Sequence, residues 1–515
     1  MRSFLTCCAV PLLFGGTGAV AEEVPAGAGL GLLEAVRMTL ARDPNIAIQE
    51  SRLQASRGSL EVFAGAFDPV INSTLTQNDL RTPLSTSSSD ESRTLHSTLS
   101  VSQLFRSGLS IQPQVDLLRS DDVTAGTGAV NTGTLSFVIR QPLLRGRGRA
   151  ATDADERAAE REVAASALDL RQAVAQRIEA VVAQYWTVES AARNLEVLRQ
   201  TEASSRNLLE NTRKLIEADQ VPAADLVQLE ANLAFTESAR IGGEHQLFVA
   251  RQGLGREIGL DAAEIERLPL PADPFPAVRL DTVPPPSAAG PFIAEAVRRR
   301  DDLRAARERQ AGAEIRRVAA VNALKPQLDL LLTPAYSGLA PGSDPVSFVA
   351  PLYRNVPGAG AAVGLSLSLP VWNHRAAGAL VQIEASLRQS ALAVDLLVKG
   401  AGADVPSALD AVGRNAHQLD KAREAVRLFE RAVVNEEKKL KGGSSTLLDV
   451  INQRDRLTSA RQAEVSSQLA LALALLDLRF TTGTLVGEEG ETDSLQASRL
   501  TTLPMPEPVP EKGTP

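Results

Sequence analysis

Residues 363–374 read Val-Gly-Leu-Ser-Leu-Ser-Leu-Pro-Val-Trp-Asn-His. Val363, Leu365, Leu367 and Leu369 alternate with Gly364, Ser366 and Ser368, and a period of two specifies a strand with one greasy and one small, polar face. Pro370 ends the alternation and helical spacing follows. A twin lies upstream, where Leu135, Phe137 and Ile139 alternate with Ser136 and Val138 before Pro142. Two more prolines mark the reverse change, from helix to strand. After Pro69, Ile71, Ser73 and Leu75 alternate with Asn72, Thr74 and Thr76; after Pro326, Leu328, Leu330 and Leu332 alternate with Asp329, Leu331 and Thr333. Proline stops an incoming helix and is tolerated at a strand end, so Pro69, Pro142, Pro326 and Pro370 read as four junctions. Such strands suit a barrel whose wet lumen is faced by Ser136, Gly364, Ser366 and Ser368, and by pattern alone suit a soluble half-buried sheet equally well.

The matched junctions belong to a longer repeat. Asp225, Leu233 and Gly259 recur as Asp449, Leu457 and Gly483 at a separation of 224, and Ile46, Phe67 and Pro69 meet Leu303, Leu324 and Pro326 at 257. One unit is written twice, and each half needs its twin to complete its buried surface. Each strand-to-helix junction feeds a long helix. In the first, Val174, Ile178, Val181, Tyr185, Val188, Ala192 and Leu195 are spaced 4, 3, 4, 3, 4, 3, a coiled-coil seam. About 68 residues of helix span roughly 100 Å, a rod that must pack sideways against others. Pro222 turns the first hairpin and Gly442-Gly443 the second. Gly400, Gly402 and Pro406 predict a kink or break in the second outgoing helix.

The N-terminus has Arg2, an apolar run from Phe4 to Phe14, and Ala19-Val20-Ala21, the form of a secretory signal. Both cysteines, Cys7 and Cys8, lie inside it. After it no stretch of about 18 apolar residues offers a transmembrane helix, so membrane contact requires a barrel or the surface. A net charge of -8 excludes a generally basic nucleic-acid binder. Walker, G-x-S-x-G and H-E-x-x-H motifs are absent, and His96, His245, His374 and His417 lack ligand spacing. No enzyme, cofactor or metal is therefore expected, and Gly400-Ala-Gly402 is not a dinucleotide site. Arg145, Arg147 and Arg149 form a basic run that reads as a solvated junction or, more sharply, as a contact for anionic headgroups.

Four segments carry a resemblance to the TolC-like outer-membrane efflux protein family: LLEAVRMTLARDPNIAIQ at 32–49, QYWTVESAARNLEVLRQ at 184–200, VGLSLSLPVWNH at 363–374 and GGSSTLLDVINQRDRL at 442–457. The resemblance implies an α+β membrane protein, a trimer whose outer-membrane β-barrel continues into a long periplasmic α-helical coiled-coil barrel. It further implies a passive exit duct for efflux or type I secretion, partnered by a periplasmic adaptor (membrane fusion protein), an inner-membrane transporter and outer-membrane lipid. The rival reading is a soluble periplasmic coiled-coil adaptor or scaffold. Asp449 falls on the family's gate aspartate and Asp225 on the carboxylate of the first hairpin. The second gate aspartate is Asn452 here, and the lock's basic and tyrosine partners fall on Ser445 and Leu440. Without the resemblance, both aspartates read as first-turn residues favoured by the helix macrodipole.

The expected organisation is a signal at 1–21 and a first repeat at 22–263, with helix 32–66, strands within 68–143 and a helical hairpin at 149–258. A proline-rich connector at 264–290 precedes the second repeat at 291–486, with helix 291–324, strands within 326–371 and hairpin 375–482; a disordered tail fills 487–515. The halves differ in one place. Pro69 to Pro142 is an interval of 73, against 44 for Pro326 to Pro370. Leu95–Phe105 and Leu109–Leu118, separated by Arg106-Ser107-Gly108, read as an extra hairpin, although Pro113 weighs against a strand there. Six strands per chain make eighteen in a trimer, where the family usually has twelve.

Overall fold

A computed structural model describes residues 29–83, 85–87, 89–122, 128–217, 225–353, 358–487 and 497–505. The expected signal at 1–21 and the turn residue Pro222 lie outside these.

Helix α1 (Leu32–Arg42) stops at Asp43, whose carboxylate caps α2 (Pro44–Ala64) by accepting from the Asn45 N–H at 2.6 Å, with Pro44 in the first helical position. Strands β1 (Val70–Pro83), β2 (Ser89–Leu104), β3 (Ser110–Asp122) and β4 (Val130–Pro142) follow. A single turn, α3 (Arg149–Thr152), leads into α4 (Ala154–Glu217), 64 residues or roughly 96 Å long. The chain returns along α5 (Asp225–Ile258) and crosses by α6 (Ala262–Arg267) and two short turns to α7 (Gly290–Arg299) and α8 (Asp301–Ala323). The second half then gives β5 (Gln327–Pro341), a loop holding α9 (Pro345–Val349), β6 (Ala359–Ser368), the 68-residue α10 (His374–Lys441) and α11 (Leu447–Thr481); α12 (Ala497–Thr501) closes the described chain.

All six strands form one antiparallel meander in the order β1 to β6. Although nearly two hundred residues separate them in sequence, β4 and β5 are neighbours, with Leu135 opposite Tyr336 and Ile139 opposite Leu332. The two halves thus share one sheet. Register sorts the side chains into two continuous faces. Leu99, Val115, Leu135 and Tyr336 line up across four strands on one face; Ser100, Gln114, Ser136 and Ala335 line up on the other. Ser100, Ser136 and Asp329 are buried while Leu99, Leu135, Phe137 and Leu365 are exposed, so the polar face is the crowded, concave one. Pro113 sits inside β3 opposite Phe137, and its lack of an N–H shows as a gap in the β2–β3 ladder opposite Val101.

Two large apolar clusters hold most of the helical part. In one, Trp186, Tyr185, Ile178 and Val181 of α4 pack with Leu254 and Ile258 of α5, Val36 of α1 and Leu476 of α11. In the other, Phe292 and Ala296 of α7 pack with Ala401, Val405, Leu409 and Val412 of α10 and Leu475 of α11. The α4 seam predicted from its 4-3 spacing supplies the first cluster. The connector is tied down as well. Leu30 exchanges backbone bonds with Leu270 and Ala272 at 2.9 Å each, and the Tyr185 hydroxyl lies 2.8 Å from the Leu30 carbonyl and 3.0 Å from an Asp273 carboxylate oxygen.

Two expectations are corrected. Helix α10 is continuous through Gly400, Gly402 and Pro406, so the break is ruled out. Proline there forfeits a hydrogen bond, and the loss is offset by burial of Ala401, Val405, Ala408 and Leu409 between α7 and α11. Residues 497–505, expected to be disordered, include α12, and Leu500 is buried. Buried Arg479 draws this segment in, donating to the Thr502 carbonyl at 2.7 Å and its hydroxyl at 2.9 Å. No helix among the described residues is long and apolar enough to cross a membrane.

Candidate functional site

The four predicted proline junctions sit at the strand ends nearest the helices. Pro69 directly precedes β1, Pro142 ends β4, Pro326 precedes β5 and Pro370 lies just beyond β6. Ser136, Gly364, Ser366 and Ser368 all share the concave face, Gly364 opposite Leu331, Ser366 opposite Asp329 and Ser368 opposite Gln327. Hydroxyls, amides and small residues dominate this face, and charges at its centre are paired. Arg140 meets Asp329 at 2.7 Å, where Gln327 also donates at 2.7 Å. Asp116 accepts from the Thr98 hydroxyl at 2.9 Å and the Gln114 amide at 2.5 Å, with His96 Nε2 at 3.4 Å.

The turn between β2 and β3 was legible only as a tight break, yet it is bolted to the helical part. Arg106 forms a fork to Glu156 at 2.7 and 2.5 Å, which holds the Glu156 carboxyl below its usual range. The Gly148 N–H donates to the Ser107 carbonyl at 2.9 Å. Gly108 adopts φ +89°, and a Cβ there would lie 2.2 Å from the Gly146 carbonyl oxygen. The basic run is accounted for locally: Arg145 bonds Gln327 and Arg149 bonds Asp153 at 2.8 Å. Arg147 is exposed.

At the far end of the helices, Gly442 and Gly443 make the α10–α11 turn, Gly443 with φ +73°. Thr446 caps α11 and Asp449 completes a capping box, accepting from the Thr446 hydroxyl at 2.6 Å and its N–H at 3.1 Å. These bonds hold the Asp449 carboxyl below its ordinary range. Ser445 donates to Glu436 at 2.5 Å, Leu440 lies in the last turn of α10, and Asn452 is exposed one turn along α11. Asp225 opens α5. Leu229 and Ile451 meet Leu209 in one small cluster, so the two hairpin turns lie at the same end.

Midway, the helical wall carries an unforeseen carboxyl. Burial and the nearby charge of Asp477 push Glu179 up to about 7; Asp477 is itself raised, by burial and by Asp404. A carboxyl raised from 4.5 to about 7 binds its proton more tightly in the folded chain, so stability falls as pH rises through that window. Glu179→Gln is therefore expected to raise the melting temperature at pH 8 and leave it unchanged at pH 4, read by circular dichroism.

Residues 292–484 match the family model described as outer membrane efflux protein. No curated protein matches the sequence. The fold is similar to the outer membrane protein VceC of Vibrio cholerae, with 16% identity, 88% of this chain and 96% of that one covered, and a TM-score of 0.62. It is similar also to the Campylobacter jejuni CmeC outer membrane channel (14% identity, 92% and 90% covered, TM-score 0.62) and to the open state of the Neisseria gonorrhoeae MtrE outer membrane channel (17%, 88% and 88%, 0.59). The resemblance read from the sequence thus holds, by the family model over 292–484 and by fold over most of the chain.

Proposed function

We propose, from the outer membrane efflux protein domain at 292–484, that this protein is a passive exit channel of the outer membrane with a large periplasmic portion. Three copies close their sheets into a barrel, and their long helices continue it as a duct that a periplasmic adaptor and an inner-membrane transporter engage, in a tripartite pump or in type I secretion. The supporting observation is the open six-stranded sheet, apolar on its convex face and polar on its concave one, with β1 and β6 as its edges. Open edges cannot stand in hydrocarbon, where every backbone group needs a partner, so β6 of one copy pairs with β1 of the next. Eighteen strands at about 4.8 Å, tilted about 45°, give a circumference near 120 Å. Twelve helices at roughly 10 Å give about the same, so barrel and duct join without a taper.

Fractionation tests the reading: the protein is expected in outer membranes as a heat-modifiable trimer. Recovery as a soluble periplasmic monomer would favour the coiled-coil adaptor instead. At the tip, the Asp449 carboxylates of three copies form an acidic ring, with Asp225 and Asn452 contributing to the same constriction. Asp449→Ala is expected to raise single-channel conductance in planar bilayers and lower cation selectivity; if both stay unchanged, Asp449 serves only as a helix-start residue.

A further inference from the structure

We propose that residues 343–353, in the β5–β6 loop, form a lipid-facing flap seated on the outside of the barrel wall, with outer-leaflet acyl chains as its partner. The inference rests on the barrel reading above. Instead of standing clear of the sheet, this loop folds back onto it. A Cβ on Gly133 would lie 2.8 Å from the Pro351 side chain, and one on Gly338 would lie 2.0 Å from the Pro351 carbonyl oxygen. Gly133 and Gly338 are opposite each other across β4 and β5. They share the face of Leu117, Leu135 and Tyr336, the apolar convex face. Two glycines therefore make a notch in the lipid side of the wall, and the flap fills it.

Depth and chemistry both fit hydrocarbon. Gly338 is twelve residues beyond Pro326, about 40 Å along the strand and roughly 28 Å in height at a 45° tilt, the upper edge of an apolar band about 25 Å tall. Wall side chains satisfy carbonyls where the flap leaves β5, as lipid demands. Arg119 donates to the Ser343 and Asp344 carbonyls at 2.9 and 2.6 Å, and Asn131 to those of Ala340 and Gly342 at 3.0 and 2.7 Å. Pro345 and Pro351 bring no N–H. Arg119 lies over the Phe348 ring at 5.3 Å, covering its own charge. Val346 is 63% and Tyr353 64% exposed, with Val349 and Leu352 beside them, while the exposed Ser343 and Asp344 stand where the flap leaves β5, the Asp344 carboxylate accepting from the Ser347 N–H at 3.3 Å. Two of the chain's three tyrosines, Tyr336 and Tyr353, thus sit at this rim, and Trp372, 77% exposed, stands just beyond β6 at the opposite one. Barrels place their scarce aromatics at both interfaces.

The test is a spin label at Val346→Cys in full-length trimers with Cys7 and Cys8 replaced by serine, reconstituted in phospholipid nanodiscs. Collision with oxygen, which partitions into lipid, is compared with collision with a water-soluble nickel chelate. A label at Leu365→Cys reports the wall, and one at Thr134→Cys the lumen. The oxygen-to-nickel ratio at 346 is expected to match that at 365 and to exceed that at 134 several-fold. Adding Gly338→Val, which evicts Pro351, is expected to bring the 346 ratio down to the lumenal level and leave 365 unchanged. A nickel-accessible label at 346 beside a lipid-exposed 365 overturns the flap alone, as does a label shielded from both reagents, which would mean a protein partner or a second copy. Loss of the lipid signature at 365 itself overturns the barrel reading instead.

Discussion

Gly108→Val is expected to abolish the proposed heat-stable trimer. A non-glycine residue at φ +89° costs about 1–2 kcal/mol, and β-branching worsens it. The new Cβ would also lie 2.2 Å from the Gly146 carbonyl and 2.9 Å from Pro142, backbone and ring atoms that cannot swing aside. Together these amount to on the order of 3 kcal/mol, concentrated where the extra hairpin meets the helices. The turn then opens, releasing the bond from Gly148 to Ser107 and the fork from Arg106 to Glu156. Gly128→Val is the control, since it has the same sign of φ, +74°, and open space around it. Melting on unheated gels is expected to show trimer for the control and only monomer for Gly108→Val. Equal behaviour of the two would mean that the turn is not a structural joint.

Trp186→Ala acts on the opposite part of the molecule and is expected to cost about 3–5 kcal/mol. Trp186 is fully buried, edge-on to Tyr185 with ring centroids 5.2 Å apart and stacked on Phe275 at 5.5 Å. Its loss leaves a cavity where α1, α4, α5 and the connector converge, and Phe275 loses the surface that holds residues 268–290 down. Its indole Nε1 has no hydrogen-bond partner among the described residues, so shape and area are what it contributes. Trp186→Phe should therefore retain most of the stability. Thermal unfolding followed by circular dichroism, with limited proteolysis of the connector, measures both variants. A destabilisation by Trp186→Phe as large as that by alanine would mean that the indole N–H matters after all.

Much of the fold was legible because its signals are periodic. Alternation placed Ile71, Leu135, Leu330 and Leu365 on strands, and register has since put them on one convex face. The 4-3 spacing of Val174 to Leu195 located the seam that Trp186 and Tyr185 fill. Propensity misled on the break where burial decided: Gly400, Gly402 and Pro406 predict a kink or break, and α10 continues because Ala401, Val405 and Leu409 gain more from packing. The bolt at Arg106 to Gly108 was illegible because its partners, Gly146 to Glu156, are some forty residues away and nothing local announces the contact. The flap at 343–353 escaped for a related reason, since a short apolar cluster in a loop has no period. At the tip, Thr446 and Asp449 carry a capping spacing that the sequence does show; a carboxylate ring requires the neighbouring copies.

Imaging of single particles of the protein, extracted from outer membranes into nanodiscs and resolved finely enough to count strands in cross-section, tests the account most directly. Three copies surrounding one lumen with eighteen strands, the β6 of each paired to β1 of the next, is the predicted result. Twelve strands, with β2 and β3 folded away from the wall, or a particle with no barrel in the disc, would contradict it.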